Sequence, residues 1–172
     1  MPWGSELLVR MDFSHISQDD LQFLSGRRSS LPALPCVPGC WGVGTVQSVG
    51  CAAGHFKIGD RVLLPRHRLT WAERLVVSSD EVVALGSGRD FLDLLNQVTQ
   101  AAKYSGCWGE GADRLGPCGE LVKHLSASQA DAQTKSQLAT VFPLWEINEA
   151  IACALDGFHV FLCISKPSAV RS

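Results

Sequence analysis

Charge is scarce in this sequence. Of 172 residues only 19% are charged, 15 Lys and Arg against 17 Asp and Glu, so it has neither a basic footprint for polyanions nor the net charge of a disordered chain. No nucleic-acid role is expected. Long apolar runs are also missing. Nothing approaches the roughly 18 uninterrupted apolar residues of a membrane span, because Asp156, Gly157 and His159 interrupt even the apolar C-terminal third. The opening MPWGSELLVRMDF carries an early Glu6 and lacks both a long apolar core and a run of Arg and Ser, so no transit or signal peptide is expected. Tyrosine occurs once, at Tyr104, which leaves a single phenol for any chemistry that needs one.

Paired cysteine motifs are absent as well. The seven cysteines are odd in number and irregularly spaced, which favours reduced thiols in a soluble intracellular protein over a disulfide framework. Cys36 and Cys40, then Cys107 and Cys118, are the only pairings that evoke zinc. Neither has CxxC spacing and no HxxxH follows, so buried or half-buried thiols are expected and no metal.

What remains is 46% apolar, enough for one sizeable core in a chain of this length. ELLVRMDFS (6–14) reads as a half-buried strand, and Ser17 as the N-cap of a short helix ending near Gly26. SSLPALPCVPG, with three prolines, is a connector. WGVGTVQSV is a strand in which Gly42 and Gly44 mark bends or close approach of another backbone. Gly59 and Asp60 turn the chain into Arg61–Leu64, and WAERLVVS and EVVAL continue a series spaced at about 8–12 residues, as in a small barrel or sandwich. After Gly86-Ser87-Gly88 the pattern changes. Leu92, Leu95, Val98 and Ala102 fall near one helix face, 105–119 reads as loop, a second helix starts after Pro143, and FHVFLCIS closes as a strand. The expected core includes Leu8, Ile16, Val37, Val46, Val49, Val62, Val77, Val83 and Ile151.

An ordered series of motifs in the first half resembles the medium-chain dehydrogenase/reductase superfamily, and within it the GroES-like catalytic domain of mitochondrial-type trans-2-enoyl thioester reductases. Ser14, Ile16, Asp20 and Leu21 stand at the spacing of that family's SxINPxDI segment. LPALPCVPGCWGVGTVQSVG is similar to its LPxLPxVxGNEGVGxVxxVG signature, FKIGDRVLLP to its LKxGDxVIP segment, and Thr70-Trp71 to its GTW turn. Further on, KYSGCW resembles KLRGFW, and FPLWEINEAIACAL resembles its PLxxxxxAL helix. The resemblance implies an α+β fold: a β-rich, partly open GroES-like barrel over residues 1–88, completed by a helical and loop segment over 89–172 whose last strand packs back. The family's Rossmann domain is missing between the two. Independently, no glycine-rich turn leaves a strand to open a helix as a dinucleotide requires. Gly42 and Gly44 sit inside a strand, and Gly106, Gly109 and Gly111 follow a helix. No cofactor-binding residue is therefore assigned.

The resemblance implies NADPH-dependent reduction of a 2-enoyl thioester of CoA or acyl carrier protein, in mitochondrial-type fatty acid synthesis. The family's catalytic tyrosine position falls on Arg28, a fixed charge that can donate hydrogen bonds but not a proton near pH 7. Ser17 replaces the asparagine of INP. Trp108 matches the tryptophan lining the substrate pocket, and reads equally as an anchor for a glycine-rich loop. Trp71 reads as a turn-packing residue. Cys40 stands where zinc-dependent members have the histidine of GHE, but Trp41 replaces the acidic neighbour. His15, His55, His67, His124 and His159 read as surface or hydrogen-bonded. Two functions follow: a divergent or truncated enoyl thioester reductase-like protein, or a non-catalytic GroES-like binding or regulatory module whose partner covers the face left by the missing domain.

Overall fold

The computed structural model describes residues 1–27, 33–64, 69–85 and 140–165. Strand β1 (Glu6–His15) organises the whole arrangement. It is followed by α1 (Gln18–Leu24), β2 (Gly42–Val49), β3 (Arg61–Leu64), β4 (Arg74–Ser78) and β5 (Val83–Ala84). The C-terminal part supplies β6 (Thr140–Pro143), a 3₁₀ turn (Leu144–Glu146), α2 (Ile147–Leu155) and β7 (Val160–Cys163).

These strands form one seven-stranded sheet in the order β5-β3-β2-β1-β7-β6, with β4 also paired to β1. On one edge β1 runs antiparallel to β2. On the other, its first half pairs with β4 and its last three residues with β7, with Phe13 opposite Cys163 and His15 opposite Phe161. The change of partner is made at a bulge between Met11 and Phe13, where one extra residue bends the strand and sharpens its twist. That residue is Asp12. It is buried, and both its carboxylate oxygens are used: Arg10 donates to Oδ1 at 2.9 and 3.1 Å, and Thr45 Oγ1 donates to Oδ2 at 2.6 Å. The Asp12 carbonyl accepts from Ile164 N at 3.0 Å, tying the end of β7 to the same bulge. The result is the expected α+β fold, a β-rich, partly open sheet whose final strand returns to the first.

Gly42 and Gly44 are required by the β1–β2 pairing. A Cβ at Gly44 would lie 2.5 Å from Arg10 O, and one at Gly42 2.5 Å from Phe13 O. Both glycines let the backbones close, as their position inside a β-branched run implied.

The alternation along β1 sends Leu7, Val9 and Met11 into a main core with Val46, Val62, Leu64, Val77, Val160 and Leu162. Past the bulge, Phe13 joins a second cluster with Trp41, Val43, Leu63 and Phe161. Each large side chain fully buried in these clusters contributes roughly 1.5–3 kcal/mol. Ile16, Val46, Val62 and Val77 are core residues as expected, and Val49, Val83 and Ile151 are partly buried against the clusters. Two expectations are corrected. Leu8 is only half-buried, because it lies opposite exposed Val76 on the outer face and Leu7 takes the inward position. Val37 is exposed, since the proline-rich segment around it forms no strand that could bury it. Strand β6 was not expected; it pairs in parallel with β7 along Thr140–Pro143. The helix read over 90–104 and the loop over 105–119 lie outside the described residues. Among the described residues no helix is long and apolar enough to cross a membrane.

Candidate functional site

Three segments that are distant in sequence meet at the C-terminal end of β1: residues 14–20, 38–41 and 69–71. The junction is drawn together by backbone bonds. Leu69 N donates to Gly39 O at 3.0 Å and Trp71 N to Pro38 O at 3.1 Å. Gly39 adopts φ +105°, and a Cβ there would strike Thr70 Oγ1 and Trp71 Cδ1.

At its centre the Trp41 carbonyl is shared by three donors: His15 N at 3.3 Å, Ser14 Oγ at 2.9 Å and Thr70 Oγ1 at 3.3 Å. Ser14 Oγ and Thr70 Oγ1 are also 2.7 Å apart, and both residues are buried. Each hydroxyl has one proton, so two protons serve three oxygen contacts and one contact is always unfilled.

Beside this pair, Ser17 begins α1 with a full capping box. Its backbone N–H donates to Asp20 Oδ2 at 2.9 Å, its hydroxyl donates to the same oxygen at 2.6 Å, and Asp20 N donates back to Ser17 Oγ at 3.2 Å. Burial raises the Asp20 carboxyl above the ordinary carboxylate range, while the Ser17 hydroxyl and amide, the Cys40 thiol and the Gly39 backbone oppose that rise. The Cys40 thiol is pushed up to about 12, by burial first and by the Asp20 charge second. Cys40 thus stays protonated and hydrogen-bonded to Asp20, a poor nucleophile and an unprepared metal ligand. Among the described residues no group of three or more His, Cys, Asp or Glu side chains converges to hold a metal.

His15 belongs to the same junction. Its ring stacks on Trp41 at a centroid distance of 4.8 Å and is flanked by Phe161 at 5.1 Å and His159 at 6.1 Å. The residue keeps some outer surface, but both ring nitrogens are shielded from water and have no hydrogen-bond partner among the described residues. Burial, then the nearby His159, lowers its pKa to about 3. The reading of His15 as a surface or hydrogen-bonded histidine is therefore corrected: Trp41 and Phe161, brought from two other segments, close over it. The indole Nε1 of Trp71 is likewise buried and unpartnered among the described residues, while its ring packs in the core as a turn-packing residue should.

Of the residues singled out in the sequence, Ser17 stands at this junction, with its hydroxyl engaged by Asp20. Arg28 and Trp108 lie outside the described residues, as do Tyr104, His67 and His124. The Ser14–Thr70 pair and the enclosed His15 were not singled out. Ser14 opens one matched motif and Thr70 falls in the GTW-like turn, and that was the available signal. Of the described cysteines, Cys36, Cys40, Cys153 and Cys163 are half-buried thiols, whereas Cys51 is exposed.

The described residues do not fit a dinucleotide. Gly42 and Gly44 press on the β1 backbone, leaving no open cradle of amides. The N-terminus of α1, a helix of seven residues, is already filled by the Ser17 hydroxyl and the Asp20 carboxyl.

The family model of the alcohol dehydrogenase GroES-like domain matches residues 4–109. The chain is similar to the mouse (Mus musculus) synaptic vesicle membrane protein VAT-1 homolog, 30% identical over 102 residues, covering 57% of this chain and 25% of that protein. It is similar also to the mouse mitochondrial enoyl-[acyl-carrier-protein] reductase, 35% identical over 83 residues, 48% of this chain and 22% of that protein. The chain thus spans about a quarter of the length of these relatives, 25% and 22%. In fold it is similar to the crystal structure of a human synaptic vesicle membrane protein VAT-1 homolog-like protein, with a TM-score of 0.72 at 14% identity over 97% of this chain and 91% of that one.

Proposed function

Because the chain belongs to the alcohol dehydrogenase GroES-like domain family, and so to the medium-chain dehydrogenase/reductase superfamily, we propose that it is the substrate side of an enoyl thioester reductase-like protein. The observation that carries this reading is the meeting of residues 14–20, 38–41 and 69–71 at one end of β1. Those segments hold motifs that resemble the reductases, and their meeting at one end of β1 supports the reading. In this reading Trp108 forms a wall of the acyl pocket, and Ser17 and Arg28 border it. Arg28, at the family's tyrosine position, would be the donor to the thioester oxygen, where charge builds during reduction. NADPH is the hydride source that the family relationship implies. The described residues offer it no seat, and no step is assigned to it. A mitochondrial location belongs to the same reading.

A second reading, a non-catalytic GroES-like module, is favoured by one observation: among the described residues, Gly42 and Gly44 press on the β1 backbone and the N-terminus of α1 is filled by Ser17 and Asp20. Calorimetric titration of the purified chain with a 2-enoyl-CoA, with free CoA as control, separates the two. The substrate-side reading expects saturable enoyl-CoA binding that weakens at least about tenfold in Trp108→Ala. No binding, or equal binding of enoyl-CoA and CoA, would leave the non-catalytic module. Consumption of NADPH by the chain with 2-enoyl-CoA would instead establish an autonomous enzyme.

A further inference from the structure

Helix α2 buries one face and leaves the other without a partner among the described residues. Ala150 and Ala154 are buried, with Ile147 and Ile151 partly buried beside them. Leu155, 67% exposed, and Ala152 lie outside the buried face; Trp145, 75% exposed, stands in the 3₁₀ turn that leads into the helix, and Phe158, 62% exposed, just past its end. The spacing of three residues from Ala152 to Leu155 keeps these two on one face, and exposed Trp145 adds apolar surface at the entry to the helix. Glu146, Glu149 and Asp156 run alongside as a second exposed stripe.

Two features give this surface a sign. From 140 to 165 the sequence has no lysine or arginine, so the stripe has no cation beside it in its own segment. In addition, the C-terminal end of a helix carries partial negative charge, which a cation in the last turn normally offsets. Here the last turn has no basic residue, and Asp156, an acid, is the C-cap. The negative ends of backbone and side chains therefore add at the site where Leu155 and Phe158 are exposed.

We propose that the outer face of α2 is a docking surface for a cationic amphipathic helix of another protein. Apolar side chains of the partner would cover Trp145, Ala152 and Leu155, and its lysines or arginines would lie along Glu146, Glu149 and Asp156. An exposed tryptophan is a residue type enriched among interface anchors. Pairing with a second copy of this chain is disfavoured, because a two-fold contact through this face would bring the acidic stripes together.

The test uses the full chain and two labelled synthetic helices of roughly 18 residues. They share one leucine stripe, flanked in one by lysines and in the other by glutamates. Fluorescence anisotropy is expected to show saturable binding of the lysine peptide and at least tenfold weaker binding of the glutamate peptide. Raising salt from about 50 mM to about 500 mM should remove most of that difference. Trp145→Ser should weaken the lysine peptide about tenfold or more. The triple variant Glu146→Gln, Glu149→Gln, Asp156→Asn should bring the two peptides close to equal. All these positions are exposed, so circular dichroism should report an unchanged fold. Equal binding of both peptides, no binding of either, or full affinity in Trp145→Ser would overturn the proposal. So would a chain that sediments as a dimer and becomes monomeric in Trp145→Ser.

Discussion

Replacing His15 with phenylalanine should remove a loss of stability of about 2 kcal/mol between pH 7.5 and pH 5. In the folded chain the imidazole is held neutral, with its pKa lowered from 6.5 to about 3 by burial and then by His159. Once unfolded, the ring binds a proton at its ordinary pKa. The unfolded state therefore takes up more protons below pH 6.5, and stability falls as pH falls. The His15 contribution is fully present above the unfolded value and is lost progressively toward the folded one. Linkage between those two values gives a loss of about 2 kcal/mol between pH 7.5 and pH 5. Phenylalanine keeps the stack on Trp41 and the contact with Phe161 and carries no nitrogens. At pH 7.5 the variant should be at least as stable as the parent, since an unsatisfied buried polar group costs about 1–3 kcal/mol. Urea unfolding across this pH range, followed by intrinsic fluorescence, measures both effects. Parallel stability curves for parent and His15→Phe would refute the reasoning, because they would mean that the ring is already solvated or paired in the folded chain.

Other consequences follow from the junction at the end of β1. Ser17→Ala removes the acceptor for Asp20 N and a donor to its carboxylate, and should cost about 1 kcal/mol in chemical denaturation; an unchanged midpoint would contradict the cap. Ser14→Ala and Thr70→Val should each cost about 0.5–1.5 kcal/mol. Their double variant should fall short of the sum by at least about 0.5 kcal/mol, and strict additivity would show that the two hydroxyls are not coupled. Gly44→Ala should destabilise by about 1–3 kcal/mol or more, because the new methyl meets Arg10 O, and hydrogen exchange should accelerate along β1 and β2. Alkylation with iodoacetamide near pH 8 should modify exposed Cys51 at least about a hundredfold faster than Cys40; comparable rates by mass spectrometry would show that the Cys40 thiol is not held protonated.

Much of the fold was legible because the signals were local. A β-branched run closed by Gly50 gave β2, the turn at Gly59-Asp60 gave the start of β3, and Ser17 as an N-cap gave the start of α1. Strand β6 was missed because Thr140–Pro143 is only four residues long and ends in a proline that reads as a helix entry; what makes it a strand is its pairing with β7. The choice between Leu7 and Leu8 could not be made within ELLV, where apolar residues are consecutive and the pairing with β4 decides which one faces inward. The site was less legible. Ser17 was found through a motif, but Ser14 and Thr70 are 56 positions apart and become partners only when the loops close. His15 carries no sequence mark of its burial, since the rings that enclose it come from Trp41 and Phe161.

The claim on which the functional account turns is that these residues provide a substrate side without a dinucleotide seat. Titrating NADPH into the purified chain, and following the fluorescence of the dihydronicotinamide, tests it most directly. The account predicts no saturable change up to high micromolar cofactor. A saturable, blue-shifted enhancement, competed away by NADP, would contradict it.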